Sequence, residues 1–245
     1  MPRLYCPQPL AAGASALLPE SVARHLHVLR LQPGAPLTLF NGDGAEYPAE
    51  LAELGKRQAS ARVLARVARD VELPFALTLA QALPEASKMD WIVEKAVELG
   101  VAALQPLAAQ RCVVRLAGER AEKRLAHWQG VVVAASEQSG RNRLARLAPV
   151  ADFDQWIKQQ DPRQGQHQRV LLTPRGGQSL SAWARHQRPQ ALTLLVGPEG
   201  GYTAQEEDAA IANGALALSM GPRVLRTETA GLAALAALGA LWGAL

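Results

Sequence analysis

Two glycine-bearing turns in the last fifth of the chain carry the residue types best suited to binding a ligand. The first, Gly197–Gly201, reads Gly-Pro-Glu-Gly-Gly and follows the apolar run Leu192–Val196. The second, Gly221–Thr227, reads Gly-Pro-Arg-Val-Leu-Arg-Thr and follows the run Ala215–Met220. Each turn leaves a strand-like run and enters a helix-like one, which places backbone groups at the carboxyl edge of a sheet, where open α/β folds bind ligands. We therefore predict one pocket built from two loops.

The composition of the first turn indicates a neutral or cationic ligand. Its glycines can adopt positive φ and let a ligand approach the backbone closely. No Lys-Ser/Thr pair follows, as a Walker-type phosphate loop requires, and the Gly-x-Gly-x-x-Gly dinucleotide pattern is absent. Glu199 also places a negative charge where a pyrophosphate would sit. Further on, Thr203 and Glu206 have the spacing of a capping box, which predicts the start of a helix.

The second turn contributes cationic side chains. Arg223 and Arg226 can reach a phosphate or a carboxylate in a forked geometry. Thr227 is predicted to cap the final helix, and Glu228 then lies in its first turn, where the helix dipole favours a carboxylate. Thr227 and Glu228 therefore have a structural interpretation as well as a functional one, whereas the position of Arg226 favours function.

A basic segment between residues 111 and 146 indicates a phosphate-bearing partner. It carries 8 basic and 3 acidic side chains, in a chain whose formal net charge is +4. An uneven basic field of this kind fits RNA, and a solvated helix face is the competing interpretation. Glu137 and Gln138 lie in this segment, close to its last arginines. The candidate RNA-contacting side chains are Arg111, Arg115, Arg120, Arg141 and Arg143.

The elements that must position these residues fall into two regions. Residues 1–72 are predicted to be mostly β, with a strong turn signal at Asn41–Gly44, and to form a small barrel-like module. From residue 73 to residue 245, apolar strands alternate with helices, which predicts a parallel sheet covered on both faces. The last run, Thr229–Leu245, is almost wholly apolar, but it is short for a membrane span and rich in Ala and Gly. We predict a buried helix there and no membrane association.

Several site classes are disfavoured by the sequence. Cys6 and Cys112 lie far apart and show no metal-ligand spacing, so neither a disulfide framework nor a metal site is expected. The N-terminus lacks a charged segment followed by an apolar core, so no secretory signal is visible. We expect a cytoplasmic protein.

At these residues the chain resembles the RsmE family, the ribosomal RNA uridine-N3 methyltransferases of the SPOUT superfamily. The resemblance runs from about residue 3 to the C-terminus, and Tyr202 and Cys6 are its slight departures. The order and spacing of the matching blocks make the resemblance specific. These blocks are Leu195–Tyr202 with Glu206, Arg223–Ala230, Glu94–Val101, Ser136–Ser139 with Arg141, and His25–Arg30 with Asn41–Tyr47.

The resemblance implies an α/β fold with a PUA-like β-barrel at residues 1–72 and a SPOUT domain at residues 73–245, whose chain is tied in a trefoil knot. It also implies S-adenosylmethionine held by the two glycine loops, and a homodimer with the pocket at the subunit interface. The sulfonium group of that cofactor is a cation, so Glu199 is compatible with it. The cofactor-binding residues implied are Leu172, Thr173, Val196, Gly197, Pro198, Glu199, Gly200, Gly201, Leu218, Ser219, Met220, Gly221, Val224, Leu225, Arg226 and Thr227.

The reaction implied is methylation of N3 of one specific uridine in 16S rRNA, either as free RNA or within the small ribosomal subunit. N3 carries a proton at neutral pH, so a positioned base or a cation that stabilises the anionic uracil would serve. Arg226 is the candidate for stabilising the anion, and Glu228 or Glu137 is the candidate proton acceptor. Arg24 and Arg30 would help the barrel to position the RNA, and a paired target base would have to be flipped or already unstacked.

Two other functions stay open at this point. A non-catalytic RNA-binding module could carry the same barrel. The intact glycine loops argue against it, because an inactive site need not keep them. A related SPOUT enzyme that methylates a ribose 2′-OH or a tRNA base would carry similar loops. Cofactor binding and the identity of the methylated nucleoside separate these hypotheses.

Overall fold

The computed structural model describes residues 1–85, 87–159 and 167–245, and the chain divides into two units. Unit 1 comprises Met1–Glu72 together with Ser136–Leu144, and unit 2 comprises Leu73–Ala135 together with Ala145–Leu245. The sequence analysis placed Ser136–Leu144 in the second domain, whereas the structure groups it with unit 1. Unit 1 is therefore discontinuous along the chain.

Unit 1 is built on a six-stranded, mostly antiparallel sheet in the order β1-β3-β4-β5-β2, with β6 paired to β4. The turn between β3 and β4 is the one that the sequence predicts, and its Gly42 and Gly44 have φ of 94° and 93°. Apolar side chains such as Leu39 and Tyr47 fill the core of this unit. Its elements are β1 (Arg3–Tyr5), β2 (Ser15–Leu18), α1 (Glu20–Val28), β3 (Pro36–Phe40), β4 (Ala45–Leu54), β5 (Ala59–Val63) and β6 (Val67–Ala68).

Hydrogen bonds and an ion pair connect the segment Ser136–Leu144 to the rest of unit 1. Arg141 is only 4% exposed, and its Nε lies 3.1 Å from both carboxylate oxygens of Glu72. The Asn142 amide donates to the carbonyl of Arg69 over 2.8 Å and accepts a bond from the guanidinium of Arg3. This part of the chain therefore completes the unit that begins at the N-terminus.

Unit 2 is a parallel sheet with helices between its strands, as the alternation of apolar strands and helices predicts. The strand order is β10-β8-β7-β13-β11-β14-β12, with β9 paired to β8. Its strands are β7 (Leu77–Ala82), β8 (Ala103–Ala108), β9 (Arg146–Leu147), β10 (Ala151–Asp152), β11 (His167–Leu172), β12 (Gln178–Ser179), β13 (Ala191–Val196) and β14 (Ala215–Ser219). Its helices are α2 (Lys88–Glu98), α3 (Gly118–Ser139, whose last four residues belong to unit 1), α4 (Phe153–Ile157), α5 (Leu180–Ala184), α6 (Ala204–Ala212) and α7 (Thr227–Leu241).

The strand order of unit 2 brings distant parts of the sequence together. β13 lies between β7 and β11, and β14 pairs with the other edge of β11. All these pairings are parallel, so the carboxyl ends of the four strands meet at one edge of the sheet. Within the described residues, no helix has the length and hydropathy needed to cross a membrane.

The final helix packs closely on the middle of this sheet. A Cβ placed on Gly231 would lie 3.0 Å from a methyl group of Leu79 and 3.4 Å from one of Val196. The absence of a side chain at this position therefore lets α7 approach β7 and β13. The first turn of α7 starts at the edge where both glycine turns lie.

Candidate active site

A cavity of about 700 Å³ opens at the carboxyl ends of β11, β13 and β14. Its size lies within the range of about 300–1,000 Å³ that is usual for small-molecule sites. Both glycine turns contribute to its wall, so the structure confirms one pocket built from two loops. Of the sixteen residues expected to hold the cofactor, fourteen line it: Leu172, Thr173, Val196, Gly197, Pro198, Glu199, Gly200, Gly201, Met220, Gly221, Val224, Leu225, Arg226 and Thr227.

The first turn is held by local contacts that the sequence predicts. Thr203 and Glu206 form the expected capping box, in which Glu206 N donates to the Thr203 hydroxyl over 3.2 Å and Thr203 N donates to the Glu206 carboxylate over 2.8 Å. A Cβ on Gly197 would come within 2.9 Å of Tyr202 N, and Gly201 has φ of 65°. Only glycine fits such a bend.

Arg111 stabilises the first turn by donating hydrogen bonds to its backbone. Its guanidinium donates to the carbonyl of Gly200 over 2.8 Å and to that of Tyr202 over 3.3 Å. The sequence analysis assigned Arg111 to RNA contacts. The structure instead places it in the wall of the cavity, where its hydrogen bonds go to the turn itself.

Glu199 in this turn is paired rather than free. Its Oε1 accepts a hydrogen bond from Lys88 Nζ over 2.6 Å and another from the backbone N–H of Glu85 over 3.0 Å. Partial burial raises the pKa of Glu199, but these hydrogen bonds outweigh it and bring the pKa below its usual value. The same hydrogen bond raises the pKa of Lys88. The carboxylate and the ammonium group therefore both stay charged at neutral pH.

In the second turn, the predicted capping role of Thr227 is wrong. Arg226 occupies the N-cap position of α7, and no side chain caps this helix. The Thr227 hydroxyl instead donates to the carbonyl of Gly197 over 2.6 Å, which joins the two glycine turns directly. Thr227 is buried, and its hydroxyl bonds to Gly197, which is distant in sequence, instead of to the first turn of its own helix.

Two candidate catalytic residues lie in the cavity wall beside this contact. The Arg226 side chain is exposed, and its guanidinium makes no hydrogen bond to any part of the chain that the structure describes. The Oε2 atom of Glu228 is buried and likewise has no hydrogen-bond partner among the described residues. Within the described residues, the cavity wall thus contains an exposed cation without a hydrogen-bond partner and a buried carboxylate oxygen whose hydrogen-bonding capacity is unmet.

Glu137, the third candidate, belongs to unit 1 and does not line this cavity. Its Oε1 accepts a hydrogen bond from the backbone N–H of Tyr5 over 2.8 Å. Burial raises the pKa of Glu137, and the bond from Tyr5 only partly offsets this. The contacts of Glu137 are those of a structural residue within unit 1.

The remaining two expected cofactor residues, Leu218 and Ser219, are not among the residues that line the cavity. A Cβ on Gly176 would lie 2.5 Å from Leu218 C and 2.7 Å from Ser219 N. The backbone of β14 therefore supports the loop after β11 by direct contact. The assignment of Leu218 and Ser219 to cofactor binding stays a prediction.

Sequence reasoning missed three charged residues that line the cavity. Arg175 forms an ion pair with Glu207 at 2.5 Å, and the Thr173 hydroxyl donates to Glu207 over 3.1 Å. Lys88 is the third. A lysine at the first position of a helix is disfavoured by the helix dipole, and this is the signal that could have indicated a special role for Lys88. No local pattern marks the other two.

Comparison with known proteins decides the family. A model described as RNA methyltransferase domain matches residues 71–239, and one described as RNA methyltransferase PUA domain matches residues 18–64. This chain belongs to the RNA methyltransferase family.

The relatives of this RNA methyltransferase carry a common name. The chain is 33% identical over 222 residues to ribosomal RNA small subunit methyltransferase E of Bacillus subtilis, covering 89% of this chain and 87% of the relative. It is 36% identical to the protein of that name from Synechocystis, covering 87% and 69%. The crystal structure of ribosomal RNA small subunit methyltransferase E from Neisseria gonorrhoeae bound to S-adenosyl methionine is 40% identical, with a TM-score of 0.90 over 99% of this chain and 98% of that one.

The arginines expected to contact RNA are not equivalent in this RNA methyltransferase. Arg24, Arg30, Arg120 and Arg143 are exposed, and Arg30 is the one non-glycine residue with positive φ in the described part of the chain. Arg115 is also exposed, but its guanidinium donates to the carbonyls of Ala109 and Gln110. Arg141 is buried against Glu72, so its assignment to the RNA-contacting surface is corrected: its charge serves an internal ion pair.

No cluster of His, Cys, Asp and Glu able to hold a metal ion occurs among residues 1–85, 87–159 and 167–245. Cys6 and Cys112 are both free and buried. Burial raises the pKa of the Cys6 thiol to about 11 and also raises that of Cys112.

Proposed function

We propose that this chain transfers a methyl group from S-adenosylmethionine to N3 of one specific uridine in 16S rRNA. The observation that carries the proposal is the two-loop cavity, in a chain that shares 40% identity and a TM-score of 0.90 with the S-adenosyl methionine complex of the gonococcal enzyme. The substrate follows from the name that the relatives share, which specifies small-subunit ribosomal RNA.

The residues of the cavity fit this cofactor. Its sulfonium group is cationic. Of the three carboxylates that line the cavity, Glu199 and Glu207 are paired with Lys88 and Arg175, whereas Glu228 forms no ion pair with the described residues. The buried, unpartnered Oε2 of Glu228 is complementary to a positive charge or to a hydrogen-bond donor. The glycines of both turns let backbone N–H and C=O groups approach the adenine. When bound, the cofactor supplies a methyl group activated by the positive sulfur.

The residues of this chain would promote the attack by handling the N3 proton and the charge left behind. We propose that the Arg226 guanidinium, exposed in the cavity wall, stabilises negative charge developing on the uracil. We propose Glu228 as the proton acceptor, because its carboxylate lines the cavity whereas that of Glu137 is engaged within unit 1. Holding both groups beside the nucleophile would also lower the entropic cost of the reaction.

Unit 1 is proposed to bind the RNA, through a domain of the PUA type. The match to an RNA methyltransferase PUA domain over residues 18–64 supports this role. Arg24 and Arg30 lie inside the matched range and are exposed. The exposed side chains of Arg120 and Arg143 are proposed to add phosphate contacts.

We also propose a homodimer with the cavity near the subunit interface, a trefoil knot in residues 73–245 and a cytoplasmic location. In support of the dimer, α7 carries a single charged residue, Glu228, and leaves a stripe of half-buried apolar side chains. The stripe comprises Leu232, Ala233, Ala236, Ala237 and Leu241.

Light scattering of the purified chain tests the dimer, and a monomer at micromolar concentration would contradict it.

Nucleoside analysis tests the proposed reaction. Unmethylated 16S rRNA and small subunits are incubated with the chain and methyl-labelled S-adenosylmethionine, and the RNA is digested to nucleosides. We expect labelled 3-methyluridine, with one methyl group per RNA. A labelled 2′-O-methyl nucleoside, or label in tRNA only, would show that the chain is a different methyltransferase. A chain that binds no cofactor in calorimetry would instead favour a non-catalytic RNA-binding module.

A further inference from the structure

Gln81, in β7, connects the two glycine turns without lining the cavity. Its side chain is fully buried, and its Nε2 donates to the Thr227 hydroxyl and to the carbonyl of Ala82, both over 2.9 Å. The Thr227 hydroxyl in turn donates to the carbonyl of Gly197 over 2.6 Å. One chain of hydrogen bonds therefore joins the end of β7, the first turn and the start of α7.

The direction of this chain of hydrogen bonds is fixed by its ends. The carbonyl oxygens of Ala82 and Gly197 can only accept, so the hydroxyl proton of Thr227 goes to Gly197 and the amide of Gln81 must present its N–H groups. As a result the Oε1 atom of Gln81 is buried with no hydrogen-bond partner among the described residues. An unpaired buried oxygen destabilises a fold.

An apolar side chain would fill this position in the core without leaving an unpaired oxygen. The unfavourable oxygen therefore indicates that the amide does something other than hold the fold together. Its neighbours point to the loops: Gln81 pairs in register with Val196, the last residue before the first turn. Thr227, which receives its hydrogen bond, lies in the cavity wall.

We propose that Gln81 is a positioning residue, which sets the separation of the two cofactor-binding loops through Thr227. This inference rests on the proposed function, because it assigns the cavity to S-adenosylmethionine. Gln81 orients the Thr227 hydroxyl, and that hydroxyl holds the carbonyl of Gly197 away from the ligand. The two turns are thereby preorganised before the cofactor arrives, which lowers the cost of binding.

The test compares Gln81→Met with a matched control, Gln105→Met. Gln105 lies on the neighbouring strand β8, and its Nε2 also donates to the carbonyl of the next residue, Pro106, and to one further carbonyl, that of Pro149. It does not line the cavity. Cofactor affinity is measured by calorimetry with S-adenosylmethionine, and the melting temperature is measured on the free protein.

For Gln81→Met we expect the Kd for S-adenosylmethionine to rise about fivefold to tenfold, the scale of one lost hydrogen bond. The melting temperature should stay close to that of the wild type, because removal of the unpaired oxygen offsets the loss of the hydrogen bonds to Ala82 and Thr227. Thr227→Val should weaken binding of S-adenosylmethionine similarly. Thr227→Ser, which keeps the hydroxyl, should bind it as tightly as the wild type does. Gln105→Met should leave the Kd unchanged.

A loss of cofactor affinity without a matching fall in melting temperature is the result that a merely structural glutamine would not give. Unchanged affinity in Gln81→Met, with a wild type that binds, would overturn the inference and leave the proposed function intact. A parallel fall in melting temperature and affinity would overturn it too, because Gln81 would then only support the fold. A wild-type chain that binds no S-adenosylmethionine would remove the proposed function, and this inference with it.

Discussion

Lys88 Nζ lies 2.6 Å from Glu199 Oε1, so the first residue of α2 is tied to the glycine turn that follows β13. The two residues are 111 positions apart in the chain, and both line the cavity. The side chains are 29% and 30% exposed, so solvent screens the pair only in part. The negative charge of the turn is thus balanced within unit 2 itself.

Replacement of Lys88 by Met should make the protein more sensitive to acid. In the wild type the pKa of Glu199 is lowered, so its stabilising contribution is present above the usual carboxyl pKa and is lost only as the pH falls through that lowered value. Without Lys88 the main cause that lowers the pKa is gone, and partial burial raises it. The midpoint of acid unfolding, followed by circular dichroism, should therefore move to higher pH.

Lys123→Met is the control for this experiment. Lys123 pairs with Glu119 on one face of α3, but the side chains are 80% and 85% exposed. An ion pair of this kind contributes little to stability. Equal shifts of the acid midpoint in both variants would contradict the role assigned to Lys88.

Glu228→Gln and Glu137→Gln should separate the candidate proton acceptors. If Glu228 accepts the N3 proton, its amide variant should lose about 10²-fold or more of the single-turnover rate of methyl transfer. Glu137→Gln can still accept the hydrogen bond from Tyr5 N and removes a partly buried charge. It should therefore keep the wild-type rate and be at least as stable at neutral pH.

The pH dependence of stability adds a check on Glu137. Its raised pKa means that the folded chain binds a proton more readily than the unfolded chain, so its contribution rises as the pH falls through the folded-state value. Glu137→Gln should lose this increase. A loss of rate in Glu137→Gln with full activity in Glu228→Gln would reverse the assignment.

Arg226→Ala should reduce the methyl-transfer step more than RNA binding. Removing a group that stabilises developing negative charge typically costs about 10²–10³-fold in rate. Arg226→Lys should recover only part of the loss, because the ammonium group lacks the planar fork of the guanidinium. Arg223→Ala, in the same turn and also exposed, is the comparison. Single-turnover rates at saturating RNA measure the difference, and near wild-type rates for Arg226→Ala would rule out the proposed role.

Gly176 and Gly177 offer a matched pair for the support of the loop after β11. A Cβ on Gly176 would clash with the backbone of Leu218 and Ser219, whereas a Cβ on Gly177 would meet nothing within 4 Å. Gly176→Ala should destabilise the protein by about 1–3 kcal/mol and weaken cofactor binding. Gly177→Ala should change the free energy of unfolding by less than about 0.5 kcal/mol. Urea unfolding gives both values, and similar effects of the two changes would show that the close approach is not what matters.

Both thiols should be inert in the folded protein. Cys6 and Cys112 are buried, and burial raises the pKa of Cys6 to about 11 and that of Cys112 above its usual value. The reactive thiolate is therefore scarce at pH 8. We expect alkylation by iodoacetamide only after denaturation, with two labels per chain by mass spectrometry. Rapid labelling of the native protein at either site would contradict the burial.

The parts of the fold that follow from local pattern were predictable from sequence. The capping box of Thr203 and Glu206, the turn at Gly42 and Gly44 and the alternation of strands and helices all depend on neighbours in the chain. Reasoning from local pattern failed where the partner of a side chain lies far away in the sequence. Thr227 has the residue type of a cap, yet its hydroxyl bonds to Gly197, thirty positions away.

The contacts of charged residues were the feature predicted least well from the sequence. Arg141 and Arg111 stand in a basic segment, but one is buried against Glu72 and the other donates to the first glycine turn. Only the position of Lys88 at the start of a helix sets it apart in the sequence, and nothing local identifies Glu199 as its partner. Which charges are paired depends on the strand order, and strand order is not encoded in any local pattern.

The discontinuity of unit 1 bears on how the protein can be divided and made. A fragment that stops at Glu72 would lack Arg141 and Asn142, leaving the Glu72 carboxylate without its ion-pair partner and the carbonyl of Arg69 without the amide that donates to it. During synthesis, this N-terminal unit cannot reach its final form until residue 144 has left the ribosome. The N-terminal module is therefore not an independent unit of the chain, although its last residue, Leu144, is synthesised before unit 2 is completed at Leu245.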